Sequence, residues 1–277
     1  MRYSEIIPRP PLNRYVECFW TLESSSPSAQ PERILPDGCI ELILNFGAQF
    51  SQHCDETRKL QPKNFLVGQM TGPIMITPSG PVQLIGIRFN PGGTLPFVRM
   101  PLHEVTDQVV DLGGISSTLE RDLLRVTSRS SVLSEKIRAI EEFLTTALTN
   151  SKHDSSSMSI AARIIESRGL VAVEELAMDA GISSRQMERR FLSDIGVGPK
   201  LLGRIIRFQQ VFRAVEQSNN AWAEIAIACG YYDQAHLIRD FNQFAQQTPA
   251  VLFSNQSVLT ESFTRKSRKS DFYNTAG

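Results

Sequence analysis

Arginine and glutamine at helical spacing are the side chains in this sequence best suited to reading the edges of base pairs. Arg185 and Arg189 stand four residues apart, on one face of a helix, with Gln186 beside them. A guanidinium can form two parallel bonds to guanine, and a carboxamide can do the same to adenine. Fifty residues on, the run repeats: Arg189 corresponds to Arg239, Gln186 to His236, and Arg185 to Ala235, with Gln234 in the same first turn. Ala235 can touch a thymine methyl or serve as filler, and His236 can read a base or decorate the surface. A lone helix face carrying such residues is ordinarily just solvated. An arginine recurring at one position of a duplicated unit is not what a random solvated face requires.

The elements that must position these residues are duplicated with them. Leu176-Ala177-x-x-Ala180-Gly181 reappears as Ile225-Ala226-x-x-Cys229-Gly230, 49 residues later. Met187, Arg189, Phe191 and Pro199 reappear as Leu237, Arg239, Phe241 and Pro249, 50 residues later. The extra residue falls in the Tyr231-Tyr232 turn. Each copy reads as a short apolar helix, a glycine turn and a second helix with one apolar face, the pattern of a helix-turn-helix nucleic-acid reader. Ser183 or Ser184 can cap the first reading helix and Asp233 the second. Met187, Phe191 and Ile195 turn inward in the first; Leu237, Phe241 and Phe244 do so in the second, leaving His236, Arg239 and Gln243 outward. Lys200–Gln217, mostly apolar, predicts a helix of roughly 27 Å between the units, commensurate with the ~34 Å between successive major grooves on one duplex face. Arg204 and Arg207 on that helix can reach phosphates or simply meet solvent.

The 277 residues are enough for two cores. Thirteen of the fifteen prolines precede residue 102, so the halves are built differently. The first reads as short strands: Tyr15–Glu23, Cys39–Phe46, Phe65–Gln69, Ile74–Thr77 and Val82–Phe89, broken by Pro/Gly turns. A small antiparallel barrel or sandwich accommodates them. Ile115–Val126 and Val132–Leu148 follow as amphipathic helices, which either close that core or pair with a second subunit. Asn150–Met158 is polar and serine-rich. The resulting expectation is an α+β chain of two domains. Residues 1–149 form a β-rich effector-binding or dimerisation module, 150–157 a linker, 158–254 an all-helical reader, and 255–277 a mobile basic tail.

The formal net charge is zero, and residues 150–277 hold 15 Lys+Arg against 13 Asp+Glu, which argues against strong nonspecific phosphate binding. Clustering of Arg185, Arg189, Arg190, Lys200, Arg204, Arg207 and Arg213 counts on the other side. No apolar run reaches 18 residues, and the first residues lack a signal-peptide plan. Cys18, Cys39, Cys54 and Cys229 are widely spaced, as free thiols of a reducing cytoplasm would be.

The run Ala180–Phe191, and especially Ile225–Phe241 with Thr248-Pro249, resembles the AraC/XylS family of transcription regulators. The resemblance covers about a hundred residues. It implies a two-unit DNA-binding domain joined by a long helix, preceded by a domain that binds effector, dimerises, or both. It places Arg185, Gln186, Arg189, Gln234, His236 and Arg239 where family members enter major grooves. Double-stranded DNA is the implied partner, with a small-molecule effector, a second copy and, for an activator, RNA polymerase. Glu188 departs from the pattern: it can accept from a cytosine amino group or temper phosphate attraction. Arg33–Cys39 and Gly86–Gly93 resemble, less specifically, a β-rich domain of uncharacterised role found ahead of such readers.

Enzyme chemistry finds little support. Walker, GxSxG and HExxH motifs are absent, and His53-Cys54-Asp55 lies in a polar loop, so neither metal nor cofactor is expected. Asp37, between Pro36 and Gly38, either shapes the turn before Cys39 or faces a ligand pocket with Arg88. Arg88 is odd inside the apolar Leu84–Phe89, and alternation can place it in solvent. The rival readings are a small-molecule-binding enzyme or a protein-interaction module with a helical passenger domain.

Overall fold

The computed structural model describes residues 1–27, 30–54, 57–149, 156–217 and 221–254. Its first half contains two antiparallel sheets. One has the order β1-β2-β9-β4-β7-β10: β1 (Arg2–Ile6), β2 (Val16–Ser24), β9 (Val82–Phe89), β4 (Ile40–Asn45), β7 (Asn64–Val67) and β10 (Val109–Asp111). The other has the order β3-β8-β5-β6: β3 (Glu32–Ile34), β8 (Ile74–Pro78), β5 (Phe50–Cys54) and β6 (Thr57–Leu60).

The larger sheet is covered on both faces, so its strands read as nearly continuous apolar runs. Phe19, Leu42, Leu44, Leu66, Ile85 and Ile87 face helices α1 (Leu112–Thr127) and α2 (Leu133–Thr149), meeting Leu123, Ile137, Ile140 and Leu144. The alternate positions, Trp20, Leu22, Ile43, Phe65, Val67 and Leu84, face the second sheet. The two helices therefore close the core within the chain. β1, β3, β6 and β10, which the sequence pattern did not signal, lie at sheet edges, where pairing rather than alternation defines a strand. β5, Phe-Ser-Gln-His-Cys, is mostly polar and is held by pairing on both sides.

Among the described residues seven helices follow: α3 (Ser156–Glu166), α4 (Val173–Asp179), α5 (Ser184–Asp194), α6 (Pro199–Gln217), α7 (Trp222–Ala228), α8 (Gln234–Phe244) and α9 (Pro249–Ser254). Ser156 and Ser157, expected in the linker, belong to α3. Ser157 is buried and donates to Asp194 Oδ2 at 2.7 Å, which ties the helix start to α5. The rest of the expected linker, 150–155, and the tail, 255–277, lie outside the described residues.

α6, 19 residues and roughly 28 Å long, serves both units. Leu202 and Ile206 join Met187, Phe191 and Ile195 in one core. Ile205, Phe208, Val211 and Phe212 join Leu237, Phe241 and Phe244 in the other. Among the described residues no helix is long and apolar enough to cross a membrane.

The halves are packed together at several places. Leu35 enters the second helical core, Gln209 Nε2 donates to Pro36 O at 2.5 Å, and Arg33 Nη1 donates to Ala245 O at 2.6 Å. Thr106 Oγ1 donates to Gly196 O at 2.7 Å, between the 3-10 turn Leu102–Val105 and the end of α5.

Candidate nucleic-acid interface

The two helical units are equal in length, seven residues then eleven in each. Gly181 (φ +64°) and Gly230 (φ +78°) turn the chain between their helices in the left-handed region that favours glycine. Ser183 caps α5 with a capping box: Gln186 N donates to Ser183 Oγ at 3.2 Å, and Ser183 N donates to Gln186 Oε1 at 2.9 Å. Asp233 Oδ1 caps α8, accepting from His236 N at 2.6 Å. Met187, Phe191, Leu237, Phe241 and Phe244 are fully buried, so the apolar stripe of each reading helix fixes which face remains outside.

On those outer faces Arg185, Gln186, Arg189, Gln234 and Arg239 are exposed, and His236 is half-buried. Arg239 Nε donates to Ala235 O at 3.3 Å, one turn back, which lays its stem along the helix. Two others of the six carry structural contacts as well. Gln186 Oε1 belongs to the capping box, and the His236 ring stands edge-on to Tyr231 with centroids 5.2 Å apart. Tyr232, which the residue pattern did not single out, is 87% exposed at the turn into α8, where the second copy has its extra residue.

Three charged residues near the reading helices also make contacts within the fold. Arg204 Nη2 donates to Asp240 Oδ1 and to Gln243 Oε1, each at 2.6 Å, and its Nε donates to the same Asp240 oxygen at 3.2 Å. Asp240 is 1% exposed, so Arg204 neutralises a buried carboxylate and ties α6 to α8. Arg207 is half-buried, its guanidinium 5.5 Å from the centre of the Tyr231 ring. Glu188 lies against Gly198, just before α6, where a side chain on Gly198 would collide with its carboxylate. An anion is stabilised there by the helix N-terminus.

Residues 176–255 match the family model described as a helix-turn-helix domain, and residues 4–111 match a model described as a domain of unknown function. The chain therefore carries a C-terminal helix-turn-helix domain. No curated protein sequence matches it. It is similar to ToxT from Vibrio cholerae at 11% identity, over 86% of this chain and 99% of that one, with a TM-score of 0.47. A ToxT structure described as bound to unsaturated fatty acid covers 85% of this chain and 95% of its own, at 12% identity and a TM-score of 0.45. The AraC-like transcriptional activator CuxR covers 76% of this chain and 79% of its own, at 13% identity and a TM-score of 0.28.

The chain also holds a polar cluster inside its β-domain that composition did not reveal. Arg88, expected toward solvent, is 2% exposed. Its Nε donates to Glu41 Oε1 at 2.8 Å and stands 3.5 Å from Asp37 Oδ2; Nη1 is 4.0 Å from Glu5 Oε1. The reason is register: Glu41 and Arg88 are directly paired across β4 and β9, both facing the second sheet. Trp20 Nε1 also donates to Glu41 Oε1, at 3.0 Å, and Trp20 has room because it crosses Gly86, where any Cβ would collide with the indole. Burial raises the carboxyl pKa of Glu41 and of Glu17, against the lowering pull of Arg88. Burial alone would lower the Arg88 guanidinium, but Glu41 and Asp37 hold it above its ordinary value. Asp37 does shape its turn, accepting from Cys39 N at 2.9 Å, with Gly38 at φ +85°.

Beside the cluster, between the sheets, lies a cavity that is partly open to solvent. Its walls are mostly apolar, including Trp20, Leu35, Phe50, Phe65 and Met70, and Asp37, Cys39, Glu41 and Gln61 supply its polar groups. The sequence signal was a charge in each of two apolar strands, Glu41 and Arg88. Pairing them needed the sheet.

Proposed function

We propose that this DNA-binding transcription regulator is sequence-specific and reads two successive major grooves of one duplex with α5 and α8. Arg185, Gln186, Arg189, Gln234, His236 and Arg239 make the base contacts, with Arg189 and Arg239 as equivalent anchors. One observation carries the reading: two equal helix-turn-helix units share α6, and each leaves its arginine exposed at the same position. A guanidinium so placed gains its two bonds only at a matching base, so the predicted effect is discrimination rather than adhesion.

Residues 158–254 constitute the reader and 1–149 the module that modulates it, through a ligand or a dimer contact, in the cytoplasm. A ligand changes DNA binding only if it favours one arrangement of the two halves over another. The packing of Leu35 and Pro36 on α6 supports such coupling. The test is selection of bound duplexes from a random pool by the full chain. Enrichment of two half-sites about one helical turn apart is expected. A pool that stays random after repeated rounds rejects the reading.

A further inference from the structure

The cavity between the sheets has an electrostatic character that restricts what can occupy it. Its walls are apolar, yet the ionisable carboxyl groups lining it are Asp37 and Glu41, and no basic side chain lines it. The guanidinium of Arg88 lies behind them, facing at least three carboxylates: Glu41 at 2.8 Å, Asp37 at 3.5 Å and Glu5 at 4.0 Å. A second observation points the same way from the opposite sheet. Glu32 shares a face of β3 with the lining residue Ile34 and pairs across the sheet with the lining residue Ile76. It is 7% exposed, and its Oε2 carries no hydrogen bond. Buried acids in excess of buried cations are stabilised by a further positive charge, and an entering anion would be repelled.

The cavity wall is also the contact between the two halves. Ile34, Leu35, Asp37 and Cys39 line the cavity. From the same short segment, Leu35 enters the second helical core, Pro36 O accepts from Gln209 of α6, and Gly38 lies against Leu202 of α6. Gln69 Nε2 braces the segment from the β-domain side, donating to Gly38 O at 2.7 Å.

We propose that this cavity is an effector site for an apolar molecule carrying one ammonium group. The tail lies between the sheets, the ammonium sits beside Asp37 and Glu41, and the 33–39 segment transmits occupancy to α6. The transmission rests on the regulator reading above; the site itself does not. Because α6 contributes to the cores of both reading units, a shift of this segment changes how α5 and α8 stand to one another. A ligand with equal affinity for both arrangements would change nothing, so the segment must move on binding.

The probes are n-octylamine, 1-octanol and octanoate, which share a tail and differ in head group, titrated calorimetrically into the full chain. Octylamine is expected to bind with one-to-one stoichiometry, octanol about tenfold or more weakly, and octanoate not at all. Asp37→Asn and Glu41→Gln should each weaken octylamine about tenfold while leaving octanol unchanged. Leu84→Trp, which fills the cavity without touching its charges, should abolish binding of octylamine and octanol; unchanged binding places them elsewhere. Octanoate binding as tightly as octylamine, or octylamine binding indifferent to both acid substitutions, overturns the proposal. The second arm measures affinity for the selected duplex with and without octylamine. A change is expected in the wild type and not in Gln209→Ala, which should still bind the amine. If the chain selects a duplex but binds no octylamine, the cavity proposal alone fails. If it binds octylamine but selects no duplex, the site stands and the regulator reading fails.

Discussion

Replacing Arg204 by alanine should unfold the second helical unit rather than merely weaken its grip on DNA. Asp240 is 1% exposed and accepts two bonds from Arg204, at 2.6 and 3.2 Å, so the substitution leaves a buried carboxylate without its cation. Removing one partner of a buried pair costs about 3–5 kcal/mol. Two features adjust that figure. Arg204 is 28% exposed, so water can enter and replace part of its charge, lowering the cost. Its guanidinium also covers the Phe244 ring at 5.2 Å and bonds Gln243, contacts that add back ~1 kcal/mol. About 3 kcal/mol is the expected net loss. Trp222 packs beside Phe253, centroids 5.5 Å apart, so its fluorescence in a Trp20→Phe background reports the second unit during urea unfolding. The double variant Arg204→Ala/Asp240→Asn should recover much of the loss, giving a coupling of about 2 kcal/mol, because the amide carries no charge to strand. A stable Arg204→Ala chain that binds every duplex uniformly less well would falsify the argument and make Arg204 a phosphate ligand.

Phe241→Ala should destabilise the same unit by about 3–5 kcal/mol in urea, since its fully buried ring packs at 4.8 Å on Phe208; a variant as stable as the parent contradicts the facing of α8. Arg189→Ala and Arg239→Ala should each cost about 1–3 kcal/mol at the selected duplex, relaxing preference at particular base pairs without changing urea stability. Uniform weakening on all duplexes would make them phosphate contacts. Burial raises Glu17 and Glu41, so their carboxyls bind protons more readily folded than unfolded. Their contribution is therefore greatest below the unfolded carboxylate value, about 4.3, and is lost as pH rises through the raised folded values. Urea midpoints of the β-domain should show that loss, and Glu17→Gln should flatten it; an unchanged slope would remove Glu17 as a source.

The doubled unit was legible because its determinants are local. A cap, a glycine at positive φ and an apolar stripe lie within some twenty residues, and each states its role twice, at Ser183 and Asp233, at Gly181 and Gly230, at Phe191 and Phe241. The outward placement of Arg189 and Arg239 follows from that stripe. What the same residues do beyond facing outward was less legible: Gln186 closes a capping box, and His236 rests on Tyr231.

Sequence by itself therefore determined the β-rich and helical halves, the helices that carry the reading faces and the residues on those faces, since helical periodicity is set by neighbours one turn away. Tertiary structure decided the rest. It buried Arg88 among Glu41, Asp37 and Glu5, gave Arg204 to Asp240, and made the 33–39 segment both cavity wall and interdomain contact. Those pairings join positions dozens to more than a hundred residues apart, and strand register and helix packing, which no local pattern encodes, choose which charges meet.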